Sequence, residues 1–386
     1  MGWNGVKAPL SLFWCLMTAP KHLSFDLAVT NLLSHCAGLK AGDSLLIVAE
    51  AAEFGYYDGV TARYVAEAAK ARGIDATLII VPFQEVIREI NDLEVGLMAA
   101  ATCTIFFARL GDQMRFRPLS GNVRAVVCYT LDMAAFCSTY GVAHYAAFEA
   151  LKYAIDDMVS AARDIHVTCP LGTDFRGHGG QVADRGDVSI RRFPMSVFAP
   201  VPAGGFSGRA ALAGFLAGTG SRYYAPYGRA FQAPLFAVFE AGRFLRFEGR
   251  AQDVAQATAH VADIADRFGL EAGAVHSWHA GIHPGCAHPK PVHSDYQRWS
   301  GAAFGNPRIL HFHTCGAEPP GEISWNIIDP TVTLDGVSVW QDGRLYPERV
   351  PGGAAILARY PCAAACFAAP EREIGVDMAA LLPAYA

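Results

Sequence analysis

Charge is scarce in this chain. Only 17% of its residues are Asp, Glu, Lys or Arg, and the formal net charge is −5. No run of Lys or Arg occurs, so the basic stripe that nucleic-acid binding needs is missing. There is no C-x-x-C pair either. The ten cysteines are scattered, Cys15, Cys36, Cys103, Cys128, Cys137 and Cys169 among them; the closest, Cys362 and Cys366, stand four apart in an Ala-rich stretch. That distribution reads as free thiols in a reducing cytoplasm rather than as a disulfide framework. No G-x-G-x-x-G follows the first strand-like run, where "AEAAEFG" stands instead, which argues against a dinucleotide site. No G-x-S-x-G elbow marks a nucleophile. The apolar run "APLSLFWCLMTA" (8–19) is too short to span a bilayer, and the "TAP" after it makes a poor cleavage site. It reads as a buried helix. No membrane partner is expected.

What the chain has in quantity is apolar surface, 52% of 386 residues, enough for two substantial cores. From about residue 26 buried strands alternate with helices, as in parallel α/β domains. "SLLIVAE" (44–50), "ATLIIVPF" (76–83), "CTIFFAR" (103–109) and "AVVCYT" (125–130) read as strands. "DGVTARYVAEAAKARG" (58–73) and "YAAFEALKYAIDDMVSAAR" (145–163) read as helices, with Asp58 a candidate N-cap. "EAAEFGYYDG" (50–59) sits where the first strand ends, a common ligand crevice in open α/β sheets that Tyr56, Tyr57 and Asp58 could line. Beyond residue 164 the rhythm changes to hairpins, one around Ala241-Gly242 and one around Asp342-Gly343, with an amphipathic helix at 251–269 between them. The expectation is a Rossmann-like α/β domain over 1–165 followed by an α+β domain over 166–386 that carries the cleft.

Seven of the 13 histidines fall between His276 and His313. "HSWHAGIHPGCAHPKPVH" (276–293) supplies five and "HFH" (311–313) two. His311 and His313 lie two apart on a strand-like pattern, "RILHFH", so both rings point to one face. His279 and His283 are four apart and would share a face in a helix, although Gly281 and Pro284 argue against one. Trp278, Trp299, Trp325, Tyr296 and Phe304 stand in the same segments and offer broad apolar contact. In "TDFRGHGGQ" (173–181), Asp174, Arg176 and His178 form a further candidate group, and "GHGG" could hold an anion on backbone N–H groups. "GSRYYAPYGRAF" (220–231) sets three tyrosines between Arg222 and Arg229 and reads as an exposed binding or dimer segment.

The order "PLGTDFRG", "FEAGRFLRFEG", an amphipathic helix, a Gly/His-rich turn, "NPRILHFHTCG" and "ISWNIIDPTVTLDG" resembles the superfamily of thermophilic-type metalloaminopeptidases and 2,5-dihydroxypyridine 5,6-dioxygenases, across roughly residues 26–346. The resemblance implies their fold: an α/β domain, then an α+β domain bearing a metal site, usually in a homodimer. It also implies that the ligand set is not retained. Where the aminopeptidases have their first glutamate, in "RRFPMSVFAPVP" (191–202), Met195 and Ser196 stand. The dioxygenases hold one iron with two His and an Asp. The first of these falls near His276, and the H-x-D pair becomes Ser324 and Asn326, or Glu322 and Ser324 under the other alignment.

Two functions follow. The leading expectation is a protein without a cofactor that binds a peptide or an aromatic small molecule through Asp174, Arg176, His178, His276, Trp278, His279, His283 and Trp325, in a setting such as the tailoring of a ribosomally made peptide. The rival is a mononuclear enzyme, a ring-cleaving dioxygenase or a hydrolase, with one Fe, Mn or Zn ion on His276, His311 and His313, completed by Glu318 or Glu322. A structural subunit with an active partner is a third possibility. A homodimer, or a heterodimer with a paralogue, is expected.

Overall fold

The computed structural model describes residues 19–85, 92–115, 123–180, 190–219, 224–317 and 319–385. Residues 8–18 of the expected first helix, Gln181, Arg222, Tyr223 and Glu318 lie outside the described residues.

After helix α1 (Ala19–Thr30), the chain lays down β1 (Ser44–Glu50), α2 (Thr61–Ala71), β2 (Asp75–Val81), α3 (Asp92–Ala100), β3 (Cys103–Phe107), α4 (Arg109–Met114), β4 (Ala125–Cys128) and α5 (Tyr145–Ala161). The four strands pair in parallel in the order β2-β1-β3-β4. Their continuous apolar runs are what a sheet covered on both faces requires. Asp58 accepts hydrogen bonds from the N–H groups of Val60 (3.0 Å) and Thr61 (2.9 Å), satisfying donors that the first turn of α2 leaves open. Tyr56 and Tyr57 are buried rather than lining an open crevice.

The chain continues through β5 (Ile165–Thr168) and β6 (Asp174–Gly177), and then returns to the first sheet as β7 (Arg191–Phe193), parallel to β4. The remaining strands are β8 (Val201–Pro202), β9 (Ser207–Leu212), β10 (Phe215–Ala217), β11 (Gly228–Ala230), β12 (Leu235–Glu240), β13 (Arg243–Gly249), β14 (Val275–Ala280), β15 (Ile309–Cys315), β16 (Glu322–Ile328), β17 (Thr331–Leu334), β18 (Val337–Gln341) and β19 (Arg344–Leu345). Helix α6 (Ala251–Phe268) follows β13 and α7 (Tyr296–Ala303) precedes β15. Two further sheets result. One runs β11-β10-β16-β15-β14-β8 and the other β13-β12-β9-β6-β5-β17-β18-β19.

Both expected hairpins form. Ala241 and Gly242 (φ 46° and 72°), like Asp342 and Gly343 (φ 49° and 71°), take the left-handed conformations that a two-residue hairpin turn demands. Gly269 (φ 66°) closes α6.

The two later sheets are joined by aromatic rings. Phe175 on β6 lies 6.0 Å from Trp278 on β14 and 5.1 Å from Phe312 on β15, while Phe239 on β12 lies 5.9 Å from Trp325 on β16. Each such buried side chain contributes about 1.5–3 kcal/mol. Inside α5, Lys152 Nζ donates to Asp156 Oδ2 at 2.9 Å, and Asp156 Oδ1 accepts the Ala199 N–H at 2.8 Å. That buried pair ties the helix to the segment that leaves β7. The architecture is mixed α/β, one parallel sheet with two antiparallel ones. No helix among the described residues is long and apolar enough to cross a membrane.

Candidate functional site

Strands β14, β15 and β16 lie side by side in the middle of the six-stranded sheet, and their residues alternate between two very different faces. Trp278, Phe312 and Trp325 point into the aromatic layer. The register places His279 opposite His311, His311 opposite Asn326, and His313 opposite Ser324. Cross-strand partners share a face, so the other side of these strands carries a buried polar array.

Three imidazoles converge there. His279 Nε2 is 2.8 Å from His311 Nε2 and 3.2 Å from His313 Nε2. Among the described residues these three histidines could hold a metal ion, with one ligand atom from each lying within 4.8 Å of the others. Their outer nitrogens are partly committed. His279 Nδ1 lies 2.9 Å from the Phe198 carbonyl oxygen, and His313 Nδ1 is hydrogen-bonded to Glu322 Oε1, whose other oxygen accepts from Thr219 Oγ1. A carbonyl can only accept, so His279 carries its proton on Nδ1 and turns a bare Nε2 inward. With Glu322 ionised, His313 does the same. Burial, with the neighbouring His313 imidazole, holds the His279 pKa well below 6.5; burial, with His279 and His313, does the same to His311.

Beside the cluster, Ser324 Oγ donates to the Ala217 carbonyl (2.9 Å) and accepts from Asn326 Nδ2 (3.0 Å). Asn326 Oδ1 and His311 Nδ1 are buried without a hydrogen-bond partner. The facing wall comes from the first sheet and its surroundings. Asp112 and Arg115 follow β3, Tyr129 follows β4, and Arg192 lies on β7. Arg115 Nε is 3.3 Å from Asp112 Oδ1, and Tyr129 Oη donates to the same oxygen at 2.5 Å. With Tyr140, Ser196 and Phe304 these groups line a narrow cleft over the histidines. Phe304 stacks on His311 with ring centroids 3.9 Å apart.

Several expected site residues lie elsewhere. His276 is three positions from His279, an odd number on a strand, and its Nε2 meets the Cys315 carbonyl at 2.9 Å. Trp278 and Trp325 are core residues on the far face. His283 follows the end of β14 rather than sharing a helix with His279. Its ring stacks on Phe148 at 3.7 Å. Asp174 and Arg176 are exposed on β6 and bond His166 at 2.9 and 3.2 Å, and the neighbouring His178 bonds the Gly179 carbonyl; none of the three lines the cleft. Tyr224 and Tyr227, expected in an exposed segment, are buried, with Tyr224 Oη on the Glu322 carbonyl oxygen at 2.7 Å. His311, His313 and Glu322 do come together. Asp112, Arg115, Tyr129 and Arg192 had no signal in the sequence, because sheet pairing alone brings them to the histidines.

No family profile matches the sequence, and no curated protein does. Solved structures do match. The 2,5-dihydroxypyridine dioxygenase from Pseudomonas putida KT2440 superposes with a TM-score of 0.56 at 14% identity, over 84% of this chain and 97% of that one. Wild-type AmpT from Thermus thermophilus gives 0.44 at 14% identity, over 81% and 95%. The mixed α/β architecture expected from the order of the sequence motifs is thus found, and this chain shares its overall fold with the dihydroxypyridine dioxygenase.

Proposed function

We propose that this protein is a mononuclear metal-dependent enzyme whose ion sits on the Nε2 atoms of His279, His311 and His313. One observation carries the reading: the inward nitrogens of His279 and His313 are 3.2 Å apart, while the outer nitrogen of each ring lies against an acceptor oxygen, the Phe198 carbonyl and Glu322 Oε1. Two facing lone pairs repel unless a cation lies between them. A proton serves poorly, because burial disfavours imidazolium at His279, and the single lone pair of His279 already faces His311 at 2.8 Å. A divalent ion accepts all three lone pairs at once, and imidazole donors suit Zn, Fe or Cu more than Mg or Ca.

Bound there, the ion would supply Lewis acidity toward an oxygen ligand in the cleft. The chain's own groups do the rest. Phe198 O and Glu322 fix which nitrogen of His279 and His313 faces inward, the arrangement by which outer partners set ligand orientation. Tyr129, its proton held by burial and given to the Asp112 carboxylate, fixes that carboxylate at the opposite wall. Phe304 and Tyr140 exclude water.

A second reading, binding of a peptide or aromatic ligand without chemistry, is favoured by Ser324 and Asn326. They are neutral where the resembling dioxygenases have ligands, and Ser324 is committed to Ala217 and Asn326. Metal analysis of protein purified without chelator separates the two. The expected result is about one transition ion per chain, absent from His279→Ala and His311→Ala. Protein that stays metal-free after incubation with Zn²⁺, Fe²⁺ or Mn²⁺ supports the binding protein and overturns the enzyme.

A further inference from the structure

We infer that this chain forms a two-fold homodimer in which strand β2 pairs edge to edge with β2 of a second copy. This interface does not depend on an ion at the histidines.

Backbone N–H and C=O groups along an outer strand invite a further strand, so sheet edges are kept short or carry charge, proline or irregular pairing. The three sheets have six edges among the described residues, and five follow that rule. Strands β8 and β19 have two residues each, with Pro202 on the first and Arg344 on the second. Strands β7 and β11 have three, with Arg191 and Arg192 on the first and Arg229 on the second. Strand β13 is longer, but it carries Arg243, Arg246 and Glu248, and its Phe244 N–H already donates to the Gly273 carbonyl.

Strand β2 breaks the rule. It runs for seven residues, "DATLIIV", with a single charge, Asp75, at its very start. Its pairing with β1 is regular from Asp75 to Val81, so no bulge turns the edge away. No strand among the described residues pairs with its outer side. Ile80 is 55% exposed and Thr77 is exposed as well. Past the end of the strand, exposed Phe54 meets Phe83 edge-on at 6.3 Å and prolongs the apolar strip.

The residues of β2 also say what covers it. In a parallel pair every second residue turns its backbone groups outward. Two copies related by a two-fold axis run antiparallel, and the ladder closes only where outward residues meet outward residues. The axis must therefore pass through a residue position and not between two. Centred on Leu78, all seven positions find a partner: Ile80 meets the partner's Ala76, Ile79 the partner's Thr77, and Val81 the partner's Asp75. The exposed Ile80 falls beside the smallest side chain of the strand. The two Asp75 carboxylates stand at opposite ends, so no like charges face each other. The product is one continuous sheet of ten strands, five from each copy.

Sedimentation velocity of the full chain at micromolar concentration tests this, and wild type is expected to run as a dimer. Ile80→Lys gives β2 the kind of charge that other edges carry, and it should raise the dissociation constant about tenfold or more. Leu245→Lys, at a 52% exposed position of β13, should leave that constant unchanged. The outward amides of β2 should exchange hydrogen faster once wild type is diluted to the monomer. A monomeric wild type overturns the inference, as does a dimer that Ile80→Lys leaves intact or that Leu245→Lys weakens equally. Should Ile80→Lys fail to fold, Thr77→Lys takes its place with the same two outcomes. Slow exchange along the whole of β2 in the monomer also overturns it, since the chain would then cover this edge with its own residues.

Discussion

His313 meets the Glu322 carboxylate on one side and His279 on the other, and Thr219 donates to the second oxygen of Glu322. Glu322 is therefore a positioning residue for the cluster, acting through the ring it orients. Replacing it by Gln removes the charge that holds the proton on the outer nitrogen of His313. The metal affinity of Glu322→Gln is expected to fall by about 10–100-fold, read by competition against a chelator of known strength. Unchanged affinity would mean that the carboxylate does not set the ring. Single residues were also where sequence reading was most uneven. His311 and His313 were legible because alternation on one strand is a strong rule. His276 sits at the irregularity of β14 between Val275 and Ser277, which no sequence pattern announces, and its ring turns to the Cys315 carbonyl.

At the level of elements, β16 decides how strong the site can be. Its register sets Asn326 directly opposite His311, with the amide oxygen buried and lacking a partner. Asn326→Asp places an anionic donor at that point. Zn²⁺ or Mn²⁺ is expected to bind at least about tenfold more tightly, because each added anionic donor strengthens such a set. The metal-free variant should be less stable than wild type, since its new charge is buried without an ion. Titration of metal into both forms, with urea midpoints for the stripped proteins, checks the two halves of this prediction. An equally stable stripped variant with no gain in affinity would place the residue-326 side chain out of reach of the ion. The elements themselves were largely readable. Ala241-Gly242 and Asp342-Gly343 announce their hairpins through turn chemistry, and the apolar runs announce the first sheet. The return of the chain as β7 was not readable, since three residues of "RRF" carry no periodicity and gain their place only by pairing with β4.

For the whole molecule, the buried histidines couple folding to pH. Burial pushes His283 down to about 3, and burial reinforced by nearby arginines pushes His260 and His288 down to about 4. Each keeps its ordinary value near 6.5 when the chain is unfolded. Between those limits the unfolded chain binds protons that the folded one refuses, so stability is full above pH 6.5 and declines as pH falls toward 4. His283 alone accounts for about 1.4 kcal/mol per pH unit across that window. The urea midpoint of metal-free protein should drop steadily from pH 7 to pH 5, and a flat profile would show that these rings already carry protons in the fold. What lay beyond sequence reading at this scale was the far wall of the cleft. Asp112, Arg115 and Tyr129 stand about 150 to 200 positions ahead of the histidines they face, and no local pattern spans that gap. The stretch from β7 to Phe198 bridges the same gap physically. It begins as a strand of one sheet and ends with the carbonyl that dictates which nitrogen of His279 is bare. A chimera that joined a foreign first sheet to the two antiparallel ones would have to import residues 191–198 along with it, or inherit a His279 with no instruction for where its hydrogen belongs.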